Sequence, residues 1–229
     1  MKYLTLAFGL VLIAPVLQAA PQPFQAVYTV TAKGITLGDM TANLTYSPNG
    51  YTYQKITKAN GVAALLSGDT LTEISTGHKQ GQQLLPQHYL HQHKSKRKNK
   101  QDEFQFVTPS RVEGQYDGNT YQFDVPKGSV DPALMELLVM DDLASNKGLK
   151  YEVVSKGKLH PYQLQKVGKE TLEVPAGKFD CEKVEIMHDD PDQHTTLWLA
   201  PALNYGIVQV RHQENSDVIE SRLTRYQNR

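Results

Sequence analysis

PQHYLHQHKSKRKNKQDEFQF, residues 86–106, carries three of the eight histidines and packs five basic residues into the seven positions from Lys94 to Lys100. Both flanks alternate, and alternation places every second side chain on one face of a strand. The stretch therefore reads as a β-hairpin with a basic tip. A two-residue tip at Arg97-Lys98 would set Tyr89 against Phe106, His91 against Phe104 and His93 against Asp102. A slip of one residue would set Leu90 against the phenylalanines instead. Under the first register the crowd of histidines and lysines is mostly strand geometry, and the chain is a β protein.

The same grammar runs outward from this hairpin. FQAVYTVTA alternates with Phe24, Ala26, Tyr28 and Val30 on one face, and ITLGDMTANLTYS, YTYQKIT and DTLTEIST follow with turn residues between them. Pro48-Asn49-Gly50, Asp117-Gly118, Lys156-Gly157 and Pro175-Ala176-Gly177 mark hairpin turns. NGVAALLSG is short and apolar, room for one helical turn. In KFDCEKVEI the apolar phase slips between Cys181 and Val184, which predicts a β-bulge near Glu182. VDPALMELLVMDDLA differs: Asp131 can cap, Pro132 suits the first helical position, and Leu134, Leu137 and Leu138 share a helical face. The predicted fold is all-β and mainly antiparallel, a curved sheet or open β-barrel with one packed helix near 131–144.

The chain begins with Met1 and the basic Lys2, followed by an apolar run from Leu4 to Leu17 and small residues at Ala19 and Ala20. That run is too short to span a bilayer, so residues 1–19 read as a secretory signal peptide and 20–229 as one domain. The bacterial look of the signal points to the periplasm. Lys plus Arg and Asp plus Glu are both 24, so no overall field recruits nucleic acid. The single cysteine, Cys181, excludes an internal disulfide.

No hydrolase elbow, zinc-protease helix, phosphate loop or dinucleotide fingerprint is present, so the reading is of a non-catalytic protein without a cofactor. An enzyme using two dispersed carboxylates stays open. His91 and His93 share a face but lack a third local ligand, and HDDPDQH (188–194) reads as a polar turn, so no metal is expected. Lys94, Lys96, Arg97 and Lys98 form either a solvated tip or a contact for an anionic envelope surface. Tyr28, Tyr89, Phe104, Phe106 and Trp198 are the candidate ligand-binding aromatics of a barrel face. The expected ligand is an amphipathic envelope component, a lipid or acyl-bearing molecule. A glycan ligand and an envelope protein partner are the alternatives.

Three stretches, FQAVYTVTAKGITLGDMTANLTY, GKETLEVPAGKFDCEKVEI and TTLWLAPALNYGIVQVRH, enclose TEISTG and the basic hairpin in a recognisable order. Together they resemble the bacterial envelope family catalogued as domain of unknown function 3108. The resemblance covers nearly the whole exported chain. It implies an exported protein with a curved, barrel-like antiparallel fold, and it brings no catalytic residues with it.

Overall fold

The computed structural model describes residues 21–229, apart from the side chains of Val62, Leu65 and Leu66. The expected signal peptide lies outside the described residues. The sheet has fourteen strands: β1 (Phe24–Ala32), β2 (Ile35–Ser47), β3 (Gly50–Ala59), β4 (Thr70–Gln80), β5 (Gln83–Lys94), β6 (Asn99–Thr108), β7 (Arg111–Tyr116), β8 (Asn119–Asp124), β9 (Lys150–Ser155), β10 (Lys158–Val174), β11 (Gly177–Ile186), β12 (Gln193–Ala200), β13 (Gly206–Glu214) and β14 (Asp217–Asn228). α1 (Gly61–Leu66) links β3 to β4, and α2 (Pro132–Ala144) links β8 to β9. Strands β1 to β8 form one meander and β9 to β14 a second, and antiparallel pairing of β1 with β14 joins them. The predicted fold class is therefore the observed one.

The sheet curls without closing, because β8 and β9 end the strand order unpaired with each other. Other contacts bridge that seam. Val130 pairs in parallel with Val153 of β9. The Lys156 amide at the β9–β10 turn donates to Asp102 of β6 at 2.6 Å. That turn is a tight one, with Lys156 and Gly157 both at positive φ (52° and 70°).

α2 fills part of the curl. Asp131 caps it, its carboxylate accepting from the Leu134 amide at 2.8 Å. Leu134 and Leu137 are fully buried as expected, whereas Leu138 is only half-buried. Ala133, Met135, Val139, Met140 and Leu143 are buried too, so burial runs around most of the helix. A helix that lies inside a curled sheet meets apolar neighbours on more than one side, which a single stripe of leucines does not anticipate.

Two expectations about register need correction. The β5–β6 turn is Lys96-Arg97, one residue earlier than predicted, closed by the Ser95 amide on the Lys98 carbonyl at 2.8 Å. Ser95 Oγ accepts from the Arg97 and Lys98 amides, the local bonding that makes serine a turn residue. Tyr89 consequently faces Phe104, His91 faces Asp102 and His93 faces Lys100. A shift of two preserves which face each side chain occupies. The second correction concerns the bulge, which lies not in β11 but in the neighbouring β10, between Lys166 and Gly168. Cys181 is buried on the face opposite Val184, where the 3-10 turn Pro201–Leu203 packs on β11. Cover on both faces produced the apparent slip of phase.

Candidate functional site

Cross-strand partners define rows across the concave face, and burial changes from row to row. The first row, Phe24, Leu44, Tyr53, Ser75, Tyr89 and Phe104, runs directly across β1 to β6. None of these residues is more than 2 % exposed. Its rings pack, with Tyr89 and Phe104 centroids 5.0 Å apart, and α2 lies against it. The next row is Ala42, Lys55, Glu73, His91 and Asp102. Beyond it come Tyr28, Met40, Thr57, Leu71 and His93, where Met40, Thr57 and His93 are half-buried and Leu71 is 36 % exposed. At the end of the face, Ile35 and Ile219 flank Ala32 and are 68 % and 45 % exposed. The concave face is therefore packed at one end and open at the other.

A charged row marks the boundary. The Lys55 ammonium donates to Glu73 Oε2 at 2.6 Å and to Glu136 of α2. Tyr89 OH donates to Glu73 at 2.7 Å and Tyr53 OH to Glu136 at 3.1 Å. The side chains of Lys55, Glu73 and Glu136 keep 12 %, 15 % and 25 % of their exposure. Burial alone would raise Glu73, but Lys55 overrides it and holds that carboxyl below its usual range. Burial wins at Glu136, which is raised with Glu73 contributing, against the pull of Lys55. Burial would lower Lys55, and the two glutamates reverse the shift and raise it. One cation thus serves two carboxylates at the foot of the open end.

Two further carboxylates, Asp131 and Asp102, are buried. Asp131 is fully buried and accepts from Ser75 Oγ at 2.7 Å, and Ser75 shares a 2.9 Å hydrogen bond with Tyr51. Burial raises the Asp131 carboxyl to about 7. Asp102 is held by Tyr121 OH at 3.0 Å and by the Lys156 amide, so it serves the seam rather than the expected partner His93. His93 instead bonds Asp69, between α1 and β4, at 2.7 Å.

The sequence-predicted residues fall into different places. Tyr28, Tyr89 and Phe104 are on the concave face, at 3 %, 2 % and 1 % exposure. Tyr28 stands at the border of the open rows, its hydroxyl donating to the Ile207 carbonyl at 2.9 Å. Phe106 lies toward the opposite end, edge-on to Phe104 at 5.7 Å, and lines a cleft of about 420 Å³ with Leu85, Pro86 and Val107. Trp198 is on the convex face, because its partners Lys183 and Gln209 belong to the row of Arg222 and Thr29. Its indole donates to Glu170 at 2.9 Å under the Lys183 ammonium. The five aromatics are not one wall. Lys94, Lys96, Arg97 and Lys98 are exposed, and a cleft of about 450 Å³ lies between the tip and Ser67, Asp69 and His93.

Among the described residues no group of three or more His, Cys, Asp or Glu side chains is disposed to hold a metal ion. His188 and His212 flank Thr195, each bonded to its hydroxyl, at 2.9 and 2.8 Å. The Cys181 thiol is pushed up to about 11 by burial, with Asp180 and Glu170 adding, which leaves it a poor nucleophile. Sequence reasoning missed Lys55, Glu73 and Glu136. Their signal was phase: Lys55 alternates with Tyr51 and Tyr53, and Glu73 with Ser75, on the side that should be apolar.

A search of curated proteins finds no match to this sequence. Among solved structures, the chain is similar to a β-barrel-like protein of domain of unknown function DUF1849 from Brucella abortus, at 11 % identity and a TM-score of 0.59. That likeness covers 91 % of this chain and 98 % of the other, and it supports the fold alone. Weaker likenesses reach a protein assigned as a lipoprotein from Parabacteroides distasonis (11 % identity, TM-score 0.37, covering 91 % and 97 %). Another is assigned as an exported protein with a YmcC-like fold from Bacteroides fragilis (14 %, 0.30, 92 % and 97 %), and nothing below rests on either. No helix among the described residues is long and apolar enough to cross a membrane. Residues 27–224 match a family described as "Protein of unknown function (DUF3108)", and the chain belongs to that family.

Proposed function

We propose that this is a non-catalytic periplasmic protein that binds an amphipathic envelope component at the open end of its concave face. The carrying observation is the graded burial of that face. The row of Phe24, Tyr53 and Phe104 is sealed and meets α2 and its cap through Tyr53 and Ser75, while Met40, Leu71 and Ile219 stay partly exposed in the rows beyond. A concave surface of mainly apolar side chains with a few polar groups at its foot suits a molecule with an apolar tail. Tyr28 and the Lys55–Glu73–Glu136 line form that foot. Tyr89 and Phe104 pack the closed end of the same face and Trp198 backs the sheet from its convex side, so none of the three touches the tail. The apolar leader of the sequence supports export.

Native mass spectrometry of the protein purified from the periplasm, before and after organic extraction, tests the reading. The expected result is one bound amphiphile, released by extraction and restored by adding a lysophospholipid. Leu71→Asp with Ile219→Asp should abolish the added mass. A protein that leaves the periplasm empty and takes up neither lysophospholipid nor fatty acid overturns the proposal.

A further inference from the structure

We propose that the open end of the sheet seats on an anionic lipid bilayer, with Ile35, Leu37 and Ile219 entering the interfacial layer and the β5–β6 tip resting on lipid phosphates. This goes beyond the ligand reading, which requires only a dissolved amphiphile. Strand order places the β5–β6 tip, α1, the β1–β2 hairpin and the β13–β14 turn in succession around this end. Ile35 is 68 % exposed, Ile219 45 % and Leu37 37 %. The Asn60 amide bonds the Leu37 carbonyl at 3.1 Å and the Lys96 amide bonds the Ser67 carbonyl at 3.1 Å, so both ends of α1 are tied to this rim. Apolar side chains projecting from one rim beside a cluster of cations are the pairing an anionic interface selects.

Charge complementarity names the occupant. Lys94, Arg97 and Lys98 project from the tip, and each cation near an anionic surface adds to attraction. The neighbouring acids are engaged: Asp69 with His93, Asp217 with Lys33 at 2.7 Å, and Asp39 with Asn60. Asp189, Asp190 and Asp192 lie on the β11–β12 turn, across the mouth from the tip. Basic on one side and acidic on the other, the end would tilt, with the arc from β6 round to β1 nearest the phosphates.

Co-sedimentation of the purified protein with vesicles tests this. It should sediment with vesicles of equimolar phosphatidylglycerol and phosphatidylcholine, be released as salt rises, and stay in the supernatant when the vesicles are pure phosphatidylcholine. Lys94→Gln, Arg97→Gln and Lys98→Gln together should weaken binding on the order of a hundredfold, about fivefold per lost cation. Ile35→Ser should weaken binding even at low salt, and circular dichroism should stay unchanged in all variants. Equal binding to neutral vesicles, or unchanged binding by the charge variant, overturns the proposal, as does the absence of any binding. Uptake of lysophospholipid without vesicles reads the ligand proposal separately, so either can fail alone.

Discussion

The two ends of the concave face share one sheet, one pleat and the same strands, yet they do opposite things. At one end Phe24, Tyr53, Tyr89 and Phe104 lie sealed in a row that meets α2 and its cap through Tyr53 and Ser75. At the other, Leu71, Ile219 and Ile35 emerge progressively into solvent. The difference teaches that a single helix, thirteen residues long, sets where the core stops. Apolar side chains under it stabilise the fold, and those beyond it are left for something else.

That contrast can be broken by mutation. Phe104→Ala should cost the most, about 3–5 kcal/mol, in chemical denaturation, because the ring is buried among neighbours that cannot close the gap. Lys55→Met should cost roughly 2–3 kcal/mol, between the buried and exposed limits for ion pairs, since it strands two carboxylates that retain some solvent contact. Replacing Glu73 and Glu136 by Gln in the same protein should recover part of that loss.

A pH experiment sharpens the boundary. The folded Asp131 carboxyl titrates near 7, above the unfolded value of about 4, so the folded state binds that proton more tightly. Its contribution to stability is full below about 4 and is lost as pH rises through about 7. Asp131→Asn, which keeps an oxygen for the Leu134 amide, should flatten that fall in denaturation midpoints measured across the window. A decline equally steep in the variant would assign the dependence to another group.

The open end should respond least. Leu71→Ala should shift stability by less than about 1 kcal/mol, and Lys98→Gln by no more than about 0.5 kcal/mol. A Leu71 effect as large as that of Phe104 would mean that the two ends are one core.

The hairpins were legible because alternation and turn chemistry are local. Asp117-Gly118 sits at positive φ angles that both residues favour, and Lys156-Gly157 turns the same way, with the glycine marking the turn. Asp131 and Pro132 likewise announced the helix. The β5–β6 register was misjudged by two because Ser95, not the basic pair that follows it, organises the turn. The charged row was harder to see. Lys55 and Glu73 meet only through β3–β4 pairing, and Glu136 reaches them only because the helix enters the curl. Trp198 was grouped with the concave aromatics because alternation alone does not say which face of β12 turns inward.

The joint between β1 and β14 has a consequence for how the protein reaches this state. Each meander consists of neighbours in sequence and can zip locally, but the pair that unites them brings Phe24 beside Asn228. The first strand must wait, one edge unsatisfied, until the last has been delivered. Loop closure across nearly the whole chain predicts that this is the slow step, with the exposed edge of β1 the place where a second molecule can intrude. Dilution and rapid chain completion, more than added stability, would then govern the yield of native protein.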